Sequence, residues 1–376
     1  MSVSGGGGVP RPAPAVHSIG ALLGAWLLAS CAATTQSLEQ VKVDPSGRGF
    51  ILADSGQAFS PWGFNYDHDE ASRLLEDYWE SDWAAVEGDF REMKELGANV
   101  VRVHLQTGKF LEAPDRANDG AIAWLRRLLA LAEKVAIRLD ITGLGCYRKS
   151  DVPPWYDALS EEARWEAQAT FWEAVAATCA RSHAVFCYDL MNEPVVPGGR
   201  RQPGDWLGPP FGEYHYVQVV TLDQAGRPRP EIARAWIERL VRAIRKQDER
   251  HLITVGLVDW SLDRPGLTSG FVPEKVAPLL DFLCVHIYPE AGKVEDALET
   301  LKGFAAGKPV VIEETFPLRC SIPEFCRFLS ELRRWVAGWI GFYWGTTPEE
   351  YRQRKDIQAA LMLGWLELFQ EIGGTR

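Results

Sequence analysis

Val185-Phe-Cys-Tyr-Asp-Leu-Met-Asn-Glu-Pro194 opens as a compact apolar run of strand length, the pattern of a strand buried on both faces. It ends on Asn192, Glu193 and Pro194, and a proline cannot go on donating to a sheet ladder. An amide and a carboxylate therefore stand at a strand's carboxyl end, where catalytic groups emerge in a barrel of parallel strands. A second strand of the same kind lies far downstream, Pro309-Val-Val-Ile-Glu-Glu-Thr315, again with carboxylates at its end. Either tripeptide alone is weak, because a Glu at a strand end also serves simply to accept from backbone donors. Together they define a pattern.

Working outward, strands alternate with helices, the mark of a parallel α/β fold. Strands are expected at Ser60 to Asp67, Asn99 to Leu105, Ile137 to Leu144, Val185 to Glu193, Leu252 to Trp260, Phe282 to Tyr288, Val310 to Glu314 and Trp339 to Trp344. Helices are expected at Trp83 to Leu96, Asp119 to Val135, Ser160 to Arg181, Glu231 to Arg250, near Pro273 to Leu280, and at Val294 to Ala306, Pro323 to Val336 and Ile357 to Ile372. That alternation predicts a single (β/α)8 TIM barrel. Turn-rich Val41 to Phe59 predicts an N-terminal β-hairpin closing the barrel bottom. Val195 to Pro230 is a long Gly/Pro-rich loop after strand four, holding Trp206, Phe211, Tyr214, His215 and Tyr216, and a loop this long in a compact domain is usually functional. Its aromatic residues are either a packed cluster or platforms for a ligand.

The chain has 376 residues, 46% of them hydrophobic, and a formal net charge of −11. That balance, without Lys/Arg tracts, argues against nucleic acid or an anionic membrane as the main partner. Ile19 to Ala29 is an apolar run too short to span a bilayer but suited to a signal-peptide core. It leads into Leu28-Ala-Ser-Cys31, which resembles the lipobox of bacterial lipoproteins with Cys31 as the lipidated residue; an ordinary cleavage site nearby is the alternative. The expected organisation is 1–31 signal peptide, 32–40 tether and 41–376 barrel, exported as a membrane-anchored lipoprotein of periplasm or cell surface, or secreted. Cys146, Cys179, Cys187 and Cys284 fall in apolar patterns as buried thiols, whereas Cys320 and Cys326 are candidates for a disulfide in an oxidising compartment. With no Cys-x-x-Cys or His-x-His pair, no structural zinc site is expected.

The strand ends gather Asn65, Arg102, His104, Asp140, Asn192, Glu193, Trp260, His286, Tyr288, Glu313, Glu314 and Trp344. Two carboxylates among Arg, His, Tyr and aromatic rings are the equipment for cleaving a glycosidic bond, which needs one protonated and one ionised carboxyl. Five motifs then carry a resemblance: Gly97-Ala-Asn-Val-Val-Arg102, Leu190-Met-Asn-Glu-Pro194, Val285-His-Ile-Tyr288, Lys308-Pro-Val-Val-Ile-Glu-Glu314 and Gly341-Phe-Tyr-Trp344. In this order the chain resembles glycoside hydrolase family 5, the cellulase family of clan A, from about Ser60 to Ile372.

The resemblance implies Glu193 as acid/base and Glu314 as nucleophile of a retaining β-glycoside hydrolase working by double displacement without a cofactor or metal. Arg102 and Tyr288 would hold the nucleophile ionised, and Asn192 would meet the sugar 2-hydroxyl. His286 would orient the acid/base, and Trp344 would floor the sugar. Asn65, His104 and Trp260 are supporting residues. Period-two alternation turns Glu313 outward to the helix layer. Strand three lacks the His that family members commonly carry at its end, leaving Asp140, Tyr147 or His104 for that contact; Thr315-Phe-Pro317 also departs from the family pattern. The implied substrate is a β-linked glucan, mannan or related oligosaccharide, met by a monomer; the shape of the 195–230 loop decides between endo and exo cleavage. A transglycosylase, or a catalytically silent carbohydrate-binding surface protein on the same barrel, are the alternatives.

Overall fold

A computed structural model describes residues 38–373. Eight parallel strands close into a barrel: β1 Trp62–Tyr66, β2 Val100–Gln106, β3 Arg138–Gly145, β4 Val185–Asn192, β5 Leu252–Val258, β6 Leu283–His286, β7 Val310–Thr315 and β8 Gly338–Gly341. Closure is made by β8 on β1, with Trp339 opposite Trp62. The helices outside are α1 Trp83–Glu95, α2 Asp119–Val135, α3 Glu161–Cys179, α4 Arg229–Arg245, the short α5 Pro273–Val276, α6 Val294–Lys302, α7 Ile322–Leu332 and α8 Ile357–Gly373. The expected fold is the observed one, and the cleft-bearing face is the one where the strands end.

Local sequence explains the elements. Helix α2 starts where Asn118 Oδ1 accepts from the Gly120 and Ala121 amides at 2.9 and 3.4 Å, which satisfies otherwise orphaned donors. Its buried Ile122, Leu125, Leu129 and Ala132 recur at helical spacing, the apolar stripe that docks a helix on a sheet. Helix α7 opens with a reciprocal cap between Ser321 and Glu324. Every residue of β4 is buried, as expected for a strand covered on both faces.

Below the barrel, Val41–Val43, Phe50–Leu52 and Ala58–Phe59 form a three-stranded antiparallel meander. It is a plug. Phe50 meets the Phe186 and Phe282 rings edge-on at 5.3 and 5.2 Å, joined by Val100, Leu252, Cys284, Val311 and Ile340. Leu38 to Gln40, expected in the tether, instead hold this base: Glu39 accepts from the Asp54 and Ser55 amides, and Gln40 donates to Arg250 O. The expected signal peptide and Cys31 lie outside the described residues. Cys146, Cys179, Cys187 and Cys284 are buried thiols, and Cys320 and Cys326 are free rather than bridged.

Candidate active site

At the barrel mouth one guanidinium organises the chemistry. Arg102, on β2 and wholly buried, donates through Nη1 to Glu314 Oε1 at 2.5 Å and Asn65 Oδ1 at 2.9 Å. Its Nη2 donates to Asp189 Oδ2 at 2.8 Å and Asn192 Oδ1 at 2.9 Å. Tyr288 Oη donates to the other oxygen of Glu314 at 2.7 Å. His286 shares a hydrogen bond with Glu193 through Nδ1 at 3.0 Å and one with Glu313 through Nε2 at 3.4 Å. Ligand-type atoms of Glu193, His286 and Glu314 all lie within 4.8 Å of one another. Strand ends from opposite parts of the barrel thus bring the Glu193 and Glu314 carboxyls to one point. The same three residues are the cluster that has cation-holding geometry among the described residues, and the His286–Glu193 hydrogen bond with the 3.5 Å approach of His286 Nδ1 to Glu314 Oε2 accounts for its tightness.

Two irregularities aim these groups. Along β4, Thr254 faces Asp189 but Gly256 faces Asn192, so β4 spends one more residue than β5 over that interval. Asp189 and Asn192, three apart, therefore both reach Arg102, which strict alternation forbids. Strand β7 does the same: Val285 faces Ile312, but His286 faces Glu314. An extra residue of this kind re-aims side chains locally. Glu313 is accordingly not turned to the helix layer; it is fully buried inside the barrel, with Oε2 3.5 Å from Arg102 Nη2. Glu193 itself has φ +47°, a left-handed conformation rare for a residue with a side chain and characteristic of functional sites. Its amide is fixed to Gly256 O at 2.9 Å. A Cβ on Gly256 would stand 3.0 to 3.1 Å from His286 Nε2, Arg102 Nη2 and Glu313 Oε2, so the missing side chain makes the room in which these charges meet.

The electrostatics follow from the packing. Burial works against the charge of Arg102, but Glu313, Asp189 and Glu314 outweigh it and hold the guanidinium firmly cationic. Burial likewise depresses His286, yet Glu314, Glu193 and Glu313 lift it to about 10. For Glu313 burial is overcome by Arg102 and His286, which bring it down to about 2. Burial lifts Glu314 above the usual carboxylate range, with His286 and Arg102 restraining the rise and Glu193 adding to it. Asp140 lies deeper, beside Glu313 and Cys187. Neither of its oxygens has a hydrogen-bond donor, and burial together with the charge of Glu313 lifts it well above the usual carboxylate range. It therefore does not take the strand-three contact at the mouth. His104 and Tyr147 stand there, His104 Nδ1 sharing a hydrogen bond with Tyr147 Oη at 2.5 Å and Nε2 one with Asn65 Oδ1 at 3.1 Å. Burial and the Arg102 charge press His104 well below its ordinary value, so it acts as a neutral link.

Asn65, Arg102, His104, Asn192, Glu193, His286, Tyr288 and Glu314 thus converge, and Trp260 lines the adjoining cleft. Trp344 does not. Strand β8 ends at Gly341, and Trp344 beyond it is fully buried, its Nε1 donating to Asp89 Oδ1 at 2.9 Å. The half-buried ring at the site is Phe342, 6.3 Å from both Tyr216 and Tyr288. Sequence reading also missed Asp67, His68 and Asp189; Asp67 and His68, paired at 2.9 Å, follow a strand just as Glu193 does, and that position was the available signal.

Comparison with known proteins adds three findings. The model of the family described as cellulase (glycosyl hydrolase family 5) matches residues 54–315. Mannan endo-1,4-beta-mannosidase A of Emericella nidulans is 25% identical over 205 residues, 49% of this chain and 45% of that protein. The probable mannan endo-1,4-beta-mannosidase A of Aspergillus flavus is 23% identical over 269 residues, 60% and 61% of the two chains. This chain therefore spans between about half and three-fifths of these relatives' length. Among solved structures, an exo-beta-1,4-mannosidase from Opitutaceae bacterium strain TAV5 superposes with TM-score 0.66 at 19% identity, covering 89% of this chain and 62% of that one. The endo-1,4-beta-mannanase from Rhizomucor miehei gives 0.61 at 17%, covering 90% and 100%. Both share the fold.

Proposed function

The chain belongs to glycosyl hydrolase family 5, and from that premise we propose that it is a retaining β-glycoside hydrolase acting on β-linked mannosides. One observation carries the proposal: one carboxyl oxygen of Glu193 and one of Glu314 lie within 4.8 Å of each other. Retaining enzymes hold the pair about 5–5.5 Å apart, whereas inverting ones leave about 6.5–9.5 Å for a water. The mannoside preference is supported by the names of the relatives, and the family membership supports a glycan over other substrates.

In the proposed cycle Glu193 gives its proton to the glycosidic oxygen as Glu314 attacks the anomeric carbon, and the leaving sugar departs as an alcohol. Arg102 and Tyr288 stabilise the carboxylate of Glu314 until it is esterified. That esterification removes a negative charge beside Glu193, which then takes a proton from water as the water opens the ester and frees Glu314. Asn192, fixed by Arg102 and by its own bond to Tyr216 O at 3.2 Å, is placed to meet the 2-hydroxyl. Ionised Glu314 is required, so activity is expected to fall as pH drops through a value above that of an ordinary Glu.

Turnover of an aryl β-mannoside tests this. Glu314→Ala and Glu193→Ala are each expected to lose several orders of magnitude, on the order of 10⁴ or more, and azide should rescue Glu314→Ala as a glycosyl azide of inverted configuration. Wild-type turnover in both variants would sink the assignment. We further propose that Met1 to Cys31 is a signal peptide with its lipobox, cut ahead of Cys31 so that the lipidated cysteine heads the mature chain and holds the enzyme at a membrane surface; the mass of the mature N-terminus from a bacterial host checks it.

A further inference from the structure

The two sides of the mouth are built differently. Between Trp206 and Val219 the long loop forms a hairpin arm, with the Gly208 amide donating to Val217 O at 2.7 Å and the Phe211 amide to Tyr214 O at 2.8 Å. The arm leaves β4, passes over the end of β3 and reaches the loop after β1. The His215 amide donates to Tyr147 O at 2.8 Å, Gln218 Nε2 to Leu144 O at 3.0 Å, and Tyr214 Oη to Ser72 O at 2.7 Å. Tyr216 Oη points to Asp67 Oδ2 at 3.4 Å, and Arg148 ties Ser72 from the β3 loop. The β1 loop is bridged in turn to the β8 loop, Asp69 to Gly345. A continuous wall thus runs over the ends of β8, β1, β3 and β4. Opposite it, over β5 to β7, a cleft of about 420 Å³ opens, lined by Glu193, Trp260, Glu290, Lys293 and Arg319 among others.

The chemistry says which side is which. Glu193 delivers its proton to the departing oxygen, so the open cleft that it lines receives the leaving group. The sugar attacked by Glu314 lies on the other side, against the wall. Phe342, half-buried at the mouth, joins the two sides: its ring stands edge-to-face with Tyr288, which bonds Glu314, and with Tyr216 of the arm, at 6.3 Å to each, and lies 6.4 Å from His68. The wall therefore begins one aromatic ring beyond the residue that bonds Glu314. At the wall, Asp67 is buried yet keeps Oδ1 without a partner, an acceptor free for a sugar hydroxyl.

Resting on the glycosidase reading above, we propose that the arm closes the glycone side after one residue, so that the enzyme is exo-acting and removes single sugars from the non-reducing end while the leaving chain of any length extends through the open cleft. Tyr214 and Tyr216 are the specificity-determining residues of this limit.

The test uses the full-length protein and three substrates: an aryl β-mannoside, a β-1,4-mannopentaose labelled at its reducing end, and the same pentaose with its non-reducing terminal 4-hydroxyl blocked. Monosaccharide and a stepwise ladder of labelled products are expected from the pentaose, and the blocked pentaose should react at least about 100-fold more slowly. Early internal fragments, or blocked substrate cut at a comparable rate, would overturn exo action while leaving hydrolysis intact. If none of the three substrates is cleaved, it is the glycosidase reading that fails, and exo action with it. Tyr214→Ala/Tyr216→Ala should raise the ratio of blocked to unblocked turnover; an unchanged ratio, with secondary structure retained, would remove these residues from the proposal.

Discussion

The lower and upper halves of the barrel interior are made by the same eight strands and have opposite chemistry. Below, Phe186, Val311 and Ile340 from the strands, with Phe282 just ahead of β6 and Phe50 of the plug, fill the space with rings and branched chains. Above, Arg102, Asp189, His286, Glu313 and Glu314 fill it with charge, almost none of it reached by solvent. The lower half is held by burial, which depends on volume and little on angle. The upper half depends on each partner's presence, because attraction only offsets desolvation when the hydrogen bonds are complete. The strands pass from one regime to the other within two or three residues, Phe186 to Asp189 and Val311 to Glu313.

The sharpest way to break that contrast is a matched pair. Arg102→Met leaves Glu314, Asp189 and Glu313 without their common cation and is expected to cost about 3–5 kcal/mol in urea unfolding and to abolish aryl-glycoside turnover. Phe282→Ala should cost a similar ~3–5 kcal/mol through its cavity yet leave turnover per folded molecule near wild type. If Phe282→Ala silenced the enzyme, or Arg102→Met kept its activity, the two halves would not be separable.

A smaller effect sharpens it through pH. His286 titrates at about 10 in the folded chain against 6.5 when free. Its folded value is the higher one, so its contribution is complete below about 6.5 and is lost as pH rises to about 10. Unfolding free energies from urea titrations should fall across that window by an amount on the order of a few kcal/mol, and His286→Gln should flatten the slope. The smallest effect is expected from Asp140→Asn. An amide replaces an acid whose surroundings favour its neutral form, so stability should stay within about 1 kcal/mol and the pH profile should not move; a large loss would mean that Asp140 carries charge.

The lower half was legible in the sequence, and so was most of the frame. Apolar runs gave the strands, capping residues and helical spacing gave the helices, and the paired strand-end carboxylates gave the ring of residues at the mouth. What failed did so for one physical reason: alternation assumes a strand without interruptions. The extra residues in β4 and β7 turn Glu313 inward and let Asp189 and Asn192 share Arg102, and nothing in the local composition announces them. Strand β8 stops three residues before Trp344, which hands the site ring to Phe342 and sends Trp344 to Asp89. The role of Tyr214 and Tyr216 depended on where a long loop comes to rest, which residue types alone do not state.

The arm grips its neighbours through loops and strand ends, and its turn at Gly212 and Glu213 is exposed. Its length is therefore an adjustable setting on an otherwise fixed machine. Trimming or extending that turn would alter how many units of a polymer fit before the cut, with no barrel strand disturbed, and lineages or engineers wishing to trade end-trimming for mid-chain scission have a single short graft to vary.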